Sequence, residues 1–533
     1  MVFKANCYLK DFFLVILSSL LLVLSFPNFD FGFLAWVGLL PIFLAINGKG
    51  LRYSFLLSFI FGIFFFLGIF RWIFGVPREM LFHHTFLVFY LGLYFGFFGL
   101  TFGYISLRSG ITTAFFAAPF IWVVLEYIRS NLSFLSLPWG LLAHAQYQYP
   151  SFIQIASLTG TYSISFLVVV VNSAIAAIIL SFRFPFRKPT LSFRNSPSKR
   201  GRWALAITAT LLVCFTAVYG HFTLSRPIIG NHVNVSVIQG NIEQAKKWDP
   251  RYASEIMTTY SELTQEALKN KPDLIIWPET ATPGSISLDA QLYAETEDIA
   301  RKAATYLLLG SAQHQKFEEK GSMRFAYFNS AYLIHAGPVI TKNQRYDKIR
   351  LFPFGEYLPF KGIIPWFLIG ISDSDNYMSG KEFTVFSLTP FRFGVTICWE
   401  NVFPNFFRQF VKNGAECMIN ITNEARFGKT AAPYQLLSIS IFRAVENRVF
   451  VIRCANTGVS CIIDPYGRMV DRLRDEKGKD IFIRGVMSGQ ITPLDSKTIY
   501  TRYGDWFVGV ATMISVAFLV SSIFKGSLKK LWD

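Results

Sequence analysis

The segment Phe393-Gly-Val-Thr-Ile-Cys-Trp-Glu400 indicates the fold of the second half of this 533-residue chain. Its apolar and β-branched residues predict a buried strand that ends at Cys398. A second segment, Leu274-Ile-Ile-Trp-Pro-Glu-Thr280, predicts another buried strand, and Pro278 stops the hydrogen-bonded ladder just before Glu279. Open α/β sheets place reactive groups at such strand ends. The two segments therefore predict an α/β domain with a site where its strands end.

A pattern of short β-like runs that alternate with helical stretches extends over residues 224–504. This alternation is typical of α/β domains with buried strands. The β-like runs are 234–239, 274–277, 306–310, 393–398, 417–421 and 450–454, and the helical stretches are 252–269, 288–304 and 433–448.

The rest of the chain is far more apolar. Hydrophobic residues make up 52% of the whole sequence and charged residues 16%, against about 25% charged in ordinary globular proteins. The apolar residues gather in runs of roughly 17–22, enough to cross a hydrocarbon layer about 30 Å thick. These runs exclude a wholly soluble or disordered protein. We predict eight spans, at 11–28, 31–48, 53–72, 85–106, 111–128, 161–182, 203–223 and 505–524.

This gives three regions: a seven-span domain at 1–223, the α/β domain at 224–504, and the eighth span with a tail at 505–533. The fold class is therefore a multi-pass α-helical membrane protein with an inserted α/β domain. The first span follows Lys4 and Lys10, as in a signal peptide, but Leu24-Ser-Phe-Pro-Asn28 lacks a small-residue cleavage site. We interpret it as an uncleaved anchor.

The net charge of +17 could indicate nucleic acid, anionic lipid or topology signals. Its position favours topology, because 15 basic residues lie in loops and tails on one side of the predicted spans and three on the other. The positive-inside rule then places both termini in the cytoplasm and residues 224–504 outside it. No basic tract with interleaved aromatics suggests a nucleic-acid groove.

A third segment, Tyr346-Asp-Lys-Ile-Arg-Leu-Phe-Pro-Phe-Gly-Glu-Tyr357, adds Lys348 and Glu356 to the candidate site. A cysteine thiol has a pKa of roughly 8.5 and needs activation to attack at neutral pH. Glu279 can take the proton of Cys398, while Lys348 can favour the thiolate and stabilise an oxyanion. Taken singly, each residue has an ordinary explanation as a salt-bridge acid, a surface lysine or a core cysteine. Their occurrence in one domain favours catalysis.

The other cysteines are better explained as packing residues than as a site. Cys417 and Cys454 lie in predicted strands, where single cysteines are usually small core residues. The spacing contains no CxxC pair, so we predict no metal site; one disulfide in the extracytoplasmic domain remains open. The six cysteines are Cys7, Cys214, Cys398, Cys417, Cys454 and Cys461.

With these segments in place, the α/β domain resembles the Glu–Lys–Cys nitrilase superfamily. Its insertion between the seventh and eighth spans resembles the apolipoprotein N-acyltransferases, the membrane-embedded members of that superfamily. Two residues depart from the pattern: Trp399 stands where tyrosine is commoner, and Arg426 where tryptophan is often found. Both could alter how lipid is held. Further matching segments are 239–244, 247–250, 420–428, 443–448, 138–140 and 157–163.

The resemblance implies an αββα sandwich and a two-step acyl transfer. An acyl chain would pass from a phospholipid to a thioester on Cys398, and then to the α-amine of a diacylglyceryl-cysteine at an apolipoprotein N-terminus. Glu279 would be the base and Lys348 the oxyanion partner. It also implies a bilayer-bound protein of the bacterial inner membrane, here predicted as a monomer without cofactor. Supporting residues would be Glu356, Glu400 and Trp399, and substrate contacts would be Trp248 and Trp139.

The stretch 355–380 suggests how a soluble-looking domain reaches lipid. Pro359 and Pro365 make a continuous helix unfavourable there. Trp366 and Phe367 lie in an apolar tip, which would contact the lipid substrate and act as a lid at the membrane interface. The alternative, that this tip packs into the α/β core, stays open.

Two other function classes are compatible with parts of the sequence. A membrane-bound nitrilase-type amidohydrolase would use the same three residues with water as the acceptor. A transporter with an extracytoplasmic sensing domain fits less well, because transport usually requires ionisable residues within the spans. Glu126 is nearly the only such residue here.

Overall fold

The computed structural model describes residues 2–75, 81–182, 196–319, 322–335, 345–360 and 377–532. The chain divides into two compact units, residues 1–226 with 503–533 and residues 227–502. The five cysteines whose side chains are described, Cys214, Cys398, Cys417, Cys454 and Cys461, are free thiols.

The first unit is helical. Within the described ranges, six helices are long and apolar enough to cross a membrane: 51–69, 85–109, 111–131, 162–179, 199–224 and 506–525. They coincide with six of the predicted spans. The helices up to the α/β unit are α1 (Val2–Leu24), α2 (Ala35–Gly38), α3 (Leu40–Ile46), α4 (Leu51–Ile69), α5 (Leu81–Ser109), α6 (Ile111–Asn131), α7 (Pro150–Ile153), α8 (Ala156–Thr159), α9 (Tyr162–Ile179) and α10 (Lys199–Leu224).

The second predicted span, 31–48, is not one continuous helix. It consists of the short turn Gly32–Leu34 followed by α2 and α3, and Pro41 lies in the first turn of α3. The side chain of Asn172 satisfies backbone groups at the break, accepting from Leu39 N at 2.9 Å and donating to Ala35 O at 2.9 Å. Neighbouring polar side chains are how an apolar bundle tolerates interrupted helices.

Helices α4 and α5 approach closely because α5 presents glycine at their contact. A Cβ at Gly99 would lie 2.1 Å from Ser58 Oγ and 2.5 Å from Ser54 O. No side chain fits at those distances, so the contact requires glycine. Small residues at such crossings are typical of helices packed in an apolar environment.

The second unit alternates strands with helices. In chain order its elements, followed by the last helix of the first unit, are β1 (Val233–Gln239), α11 (Ala253–Ala267), β2 (Leu274–Ile276), α12 (Ala290–Ala303), β3 (Tyr306–Glu319), β4 (Ser322–Ile334), β5 (Arg345–Asp347), β6 (Val385–Ser387), β7 (Arg392–Ile397), α13 (Pro404–Lys412), β8 (Cys417–Thr422), α14 (Ala432–Asn447), β9 (Phe450–Ala455), β10 (Cys461–Ile463), β11 (Met469–Arg472), β12 (Gly485–Ile491), α15 (Ile499–Tyr503) and α16 (Trp506–Trp532).

These strands form two sheets of six strands each within the described residues. Their orders are β12-β1-β2-β3-β4-β5 and β11-β10-β9-β8-β7-β6. The central strands β1, β2 and β3 are parallel, as are β7, β8 and β9. The predicted β-like runs all lie on strands of these sheets, and the three predicted helical stretches match α11, α12 and α14.

The two sheets face each other between outer layers of helices. Buried residues of α11 and α12 pack with Ile275 and Leu307 of the first sheet. On the second sheet, a Cβ at Gly394 of β7 would lie 2.8 Å from Cβ of Phe410 in α13. Between the sheets, the Cys454 thiol donates to Ile238 O at 3.4 Å and Ile276 O at 3.3 Å. The order of layers is therefore α–β–β–α.

The carboxyl ends of the parallel strands meet at one edge of this sandwich. Just beyond β1 and β9, Asn241 N donates to Asn456 O at 2.9 Å, and Ile242 N donates to Asn456 Oδ1 at 2.9 Å. Residues that follow β2, β7 and β8 are brought to the same edge. This is where an α/β sheet presents its functional groups.

Candidate active site

Glu279 lies just beyond β2, where Pro278 ends the strand. Its Oε1 accepts a hydrogen bond from Asn329 Nδ2 at 2.8 Å, and its Oε2 accepts from Asn423 N at 2.8 Å. The side chain is almost wholly buried. Both carboxylate oxygens are thus held, one by a donor on β4 and the other by a donor just after β8, so the carboxylate has a fixed direction.

Gly310 on β3 allows the turn that carries Glu279 to lie against the sheet. A Cβ there would lie 2.7 Å from Glu279 Cα and 2.7 Å from Pro278 O. Gly310 N donates to Pro278 O at 3.2 Å, and Ala281 N donates to Gly310 O at 2.7 Å. The close approach therefore fixes the backbone on both sides of the acid.

Lys348 follows β5 and is buried between two carboxylates. Its Nζ lies 2.8 Å from Glu356 Oε1 and 3.6 Å from Glu279 Oε1. Burial by itself lowers the pKa of this lysine, but the charges of Glu356 and Glu279 outweigh it and raise the pKa above its usual value. Lys348 is therefore a permanent ammonium beside Glu279.

Cys398 directly follows β7 and has a left-handed backbone with φ of 56°. This conformation is unfavourable for a residue with a Cβ and is often found at functional sites. The carbonyl oxygen of Cys398 accepts a hydrogen bond from Asn420 Nδ2 at 3.1 Å, and this bond fixes the backbone of the turn. The strand end and the following turn Cys398–Val402 thus define the direction of the thiol.

The thiol of Cys398 is protonated at rest. Burial raises its pKa, and the negative charges of Glu279 and Glu356 raise it further, whereas Lys348 opposes them. An attack by sulfur therefore requires a base to remove the proton. Glu279 is a fixed carboxylate whose charge acts on Cys398.

Glu356 orients the lysine. One oxygen accepts from Lys348 Nζ, and the other accepts from Phe352 N at 2.7 Å. Asn329 Nδ2 also donates to Glu356 Oε1 at 3.2 Å, so one amide contacts both acids of the site. The arrangement keeps two carboxylates apart while each faces the same ammonium.

Glu400 is a brace of the site: its buried carboxylate links two of the segments that carry site residues. Its carboxylate accepts from the backbone N–H groups of Ile397, Ile349 and Arg350 at 2.7–2.9 Å. The hydroxyl of Tyr346 donates to both of its oxygens at 2.9 Å. Burial raises the pKa of this acid to about 7. One side chain thus ties the Lys348 segment to the end of the Cys398 strand.

Trp399 completes this brace. Its indole Nε1 donates to Arg350 O at 2.6 Å. Its ring packs edge-on against Phe352 and Phe403, with ring centroids 5.1 Å and 4.9 Å away. The tryptophan therefore contacts the turn between Lys348 and Glu356.

We expect Glu400→Gln to destabilise the protein and slow its chemistry together. An amide has one acceptor oxygen for four donors, so buried N–H groups lose their partner at a cost of about 2–4 kcal/mol. Thermal unfolding in detergent and the rate of Cys398 acylation measure the two effects. Glu255→Gln is the control, since the Glu255 side chain is 60% exposed and pairs with Lys246. An unchanged melting point in Glu400→Gln would contradict the brace.

Family models match both parts of this chain. The carbon-nitrogen hydrolase family matches residues 234–495, and the apolipoprotein N-acyltransferase N-terminal domain matches residues 18–174. An apolipoprotein N-acyltransferase from Geobacter metallireducens is 34% identical over 538 residues, which cover 96% of this chain and 96% of the relative. This chain belongs to the apolipoprotein N-acyltransferase family. Apolipoprotein N-acyltransferase 1 from Treponema denticola is 27% identical, with 97% of each chain covered.

Among solved structures, an amidase from Nesterenkonia sp. aligns with 50% of this chain and 93% of its own at 18% identity, with a TM-score of 0.37. The carbon-nitrogen hydrolase match agrees with the α/β layers described above, and the nitrilase-like domain predicted from the strand-end motifs is confirmed.

In this member of the apolipoprotein N-acyltransferase family, the predicted substrate contacts lie in different places. Trp248 is 46% exposed and follows directly after a buried lysine of the α/β unit. Trp139 is buried in the helical unit, where its ring lies 5.5 Å from that of Trp72. Trp366 and Phe367 lie outside the described residues. Contact of any of these residues with substrate stays a prediction.

Sequence reasoning missed three residues that hold the site. Asn329 lies in the middle of β4, with no strand-end signal to mark it. Asn420 and Asn423 lie in the segment 420–428, which was recognised as a family motif but given no role. Arg453, itself buried, donates to Asn420 Oδ1 at 3.0 Å and also pairs with Glu424. A polar residue inside an apolar strand run, such as Asn420, was the available signal.

Proposed function

We propose that this protein transfers an acyl chain from a phospholipid, through a thioester on Cys398, to the α-amine of an N-terminal diacylglyceryl-cysteine of an apolipoprotein. The observation that carries the proposal is the convergence of a protonated thiol, a fixed carboxylate and a buried ammonium at one sheet edge. Family membership supports the choice of reaction, since the relatives are named for N-acylation of apolipoproteins.

In the first step, Glu279 removes the proton from Cys398 as sulfur attacks the ester carbonyl of the phospholipid. The carbonyl oxygen becomes an oxyanion, which the Lys348 ammonium stabilises. The intermediate collapses by breaking the ester C–O bond. The departing lysophospholipid oxygen takes the proton from Glu279, leaving a thioester and a carboxylate.

In the second step, the α-amine of the acceptor attacks the thioester. Glu279 accepts the proton that the amine loses, and the C–S bond breaks to release the Cys398 thiolate. The proton then returns from Glu279 to sulfur, which restores the resting thiol. The same three groups therefore serve both halves of the reaction.

We further propose that the helical unit spans the bacterial inner membrane, as a monomer with both termini in the cytoplasm and the α/β unit outside it. The six apolar helices and the one-sided loop charges support this. Eight spans and the proposed lid with Trp366 and Phe367 stay predictions; the lid lies outside the described residues.

A nitrilase-type amidohydrolase is the second candidate. The match to the carbon-nitrogen hydrolase family favours it, because hydrolysis would use the same three side chains with water as the acceptor. The acceptor of the acyl group distinguishes the two functions.

The test uses the purified full chain in vesicles of phospholipid with isotope-labelled acyl chains. A synthetic peptide that begins with diacylglyceryl-cysteine is the acceptor. We expect labelled N-acyl peptide and an equal amount of lysophospholipid by mass spectrometry. A matched peptide with an acetylated α-amine should receive no label and leave the thioester on the enzyme. Labelled free fatty acid without acylated peptide would contradict transfer and favour the hydrolase.

A further inference from the structure

A second lysine, Lys247, is buried beside the catalytic groups without a role in the steps above. Its side chain is 2% exposed, and its Nζ donates to the backbone oxygen of Glu279 at 2.9 Å. The adjacent Lys246 is different: its side chain is 36% exposed and pairs with Glu255 at 3.3 Å. Two neighbouring lysines therefore have opposite environments, and only Lys247 reaches the site.

Burying an ammonium is costly, and a neutral carbonyl offsets that cost only in part. The described side chains whose charge acts on Lys247 are Glu279, beyond β2, and Cys398, at the end of β7. Lys348 and Glu356 also act on Cys398 through their charges. In the described site, the resting thiol thus faces two carboxylates and two ammonium groups, and loss of its proton creates the anion that the second ammonium can stabilise.

We propose that Lys247 is a positioning residue of this site, which holds the main chain of Glu279 and stabilises the anion formed when Cys398 transfers its proton to Glu279. The S–H bond breaks, the proton moves to the carboxylate, and the negative charge moves to sulfur, where the Lys348 and Lys247 ammonium groups both act on it. This inference rests on the proposed role of Cys398 as nucleophile. It deepens that role by adding a second cation to thiol activation.

The proposal predicts a pH signature. Burial lowers the pKa of Lys247 to about 8, although Glu279 and Cys398 oppose that shift. Because the folded pKa is depressed, the ammonium is present below about pH 8 and is lost as the pH rises through that value. Assistance to the thiolate should therefore disappear above pH 8. An arginine at this position would keep its charge throughout.

The test measures the rate at which iodoacetamide alkylates Cys398 in the full chain in detergent, located by peptide mass spectrometry. Lys247→Met should slow alkylation about tenfold at pH 7, because one unit of thiol pKa changes the thiolate fraction about tenfold. Lys247→Arg should stay within about threefold of wild type. Lys246→Met is the matched control and should equal wild type.

Wild type should alkylate faster than Lys247→Met at pH 7, and this difference in rate should shrink above pH 8. Lys247→Arg should stay faster than Lys247→Met up to pH 9.5. A purely structural role would slow both variants equally at every pH, and that outcome overturns the proposal. Equal rates in wild type and Lys247→Met also overturn it. Alkylation needs no acyl donor, so failure of the wild type to form an acyl-thioester would refute the proposed function without deciding the role of Lys247.

Discussion

Replacing Cys398 with serine is expected to abolish acyl-enzyme formation while leaving the protein folded and in the membrane. A hydroxyl is far harder to deprotonate than a thiol, and the proposed base, Glu279, is a carboxylate that already faces a protonated sulfur at rest. We expect the rate of N-acylation to fall about 10³-fold or more, as when other covalent catalysts lose their nucleophile. Intact-mass analysis after incubation with phospholipid measures the acyl-enzyme directly.

Two other cysteines of the same unit are matched controls for this change. Cys417 is fully buried on β8, and Cys454 lies between the sheets, where its thiol donates to two carbonyl oxygens. A serine hydroxyl can donate the same hydrogen bonds as the Cys454 thiol. Neither cysteine is proposed to take part in acyl transfer, so Cys417→Ser and Cys454→Ser should both keep the N-acylation activity. Full N-acylation by Cys398→Ser, with loss in either control, would assign the nucleophile elsewhere.

The position of the site was predictable because its main groups follow apolar strands. Glu279 comes after a strand that proline terminates, and Cys398 ends a β-branched run, so each was marked in sequence. The structure brings both beside Lys348 at the edge where the parallel strands end. Hydrophobic periodicity and strand-terminating residues such as proline are local signals in the sequence. Glu279 and Cys398 lie where such signals are strongest.

The supporting residues were less predictable because their roles depend on distant partners. Asn329 contacts Glu279 across 50 positions of sequence, and Asn423 contacts it across 144. Nothing near Lys247 in sequence shows that it is buried, since Lys246 beside it is solvated. Such contacts arise only when strand order and register are known.

The helical unit shows the same limit. Hydropathy located the apolar segments, but the break in the segment 31–48 depends on Asn172, which lies far along the chain. In the α/β unit, the strands β4, β5, β6, β10, β11 and β12 and the nine-residue helix α13 were also missed. Of these, β5, β6, β10 and β11 have only three or four residues, which carry too little periodicity to be recognised.

Glu279→Gln and Lys348→Met are both expected to block thioester formation, for different reasons. An amide in place of Glu279 cannot accept the thiol proton, which should slow acylation about 10²–10⁴-fold. Loss of the Lys348 ammonium removes the charge that faces the oxyanion, which should slow it about 10²–10³-fold. The rate of lysophospholipid release reports this first step for both variants.

The two variants should differ in stability, and this difference makes the assignment testable. Lys348→Met leaves Glu356 and Glu279 facing each other across Asn329 without their shared cation, and breaking a buried pair in this way costs about 3–5 kcal/mol. Glu279→Gln leaves the pair of Lys348 with Glu356 intact and should melt closer to wild type. Activity must therefore be compared at a temperature where Lys348→Met remains folded. Normal thioester accumulation in either folded variant would remove that residue from the first step, and a Lys348→Met protein as stable as wild type would show that the ammonium does not hold the two carboxylates together.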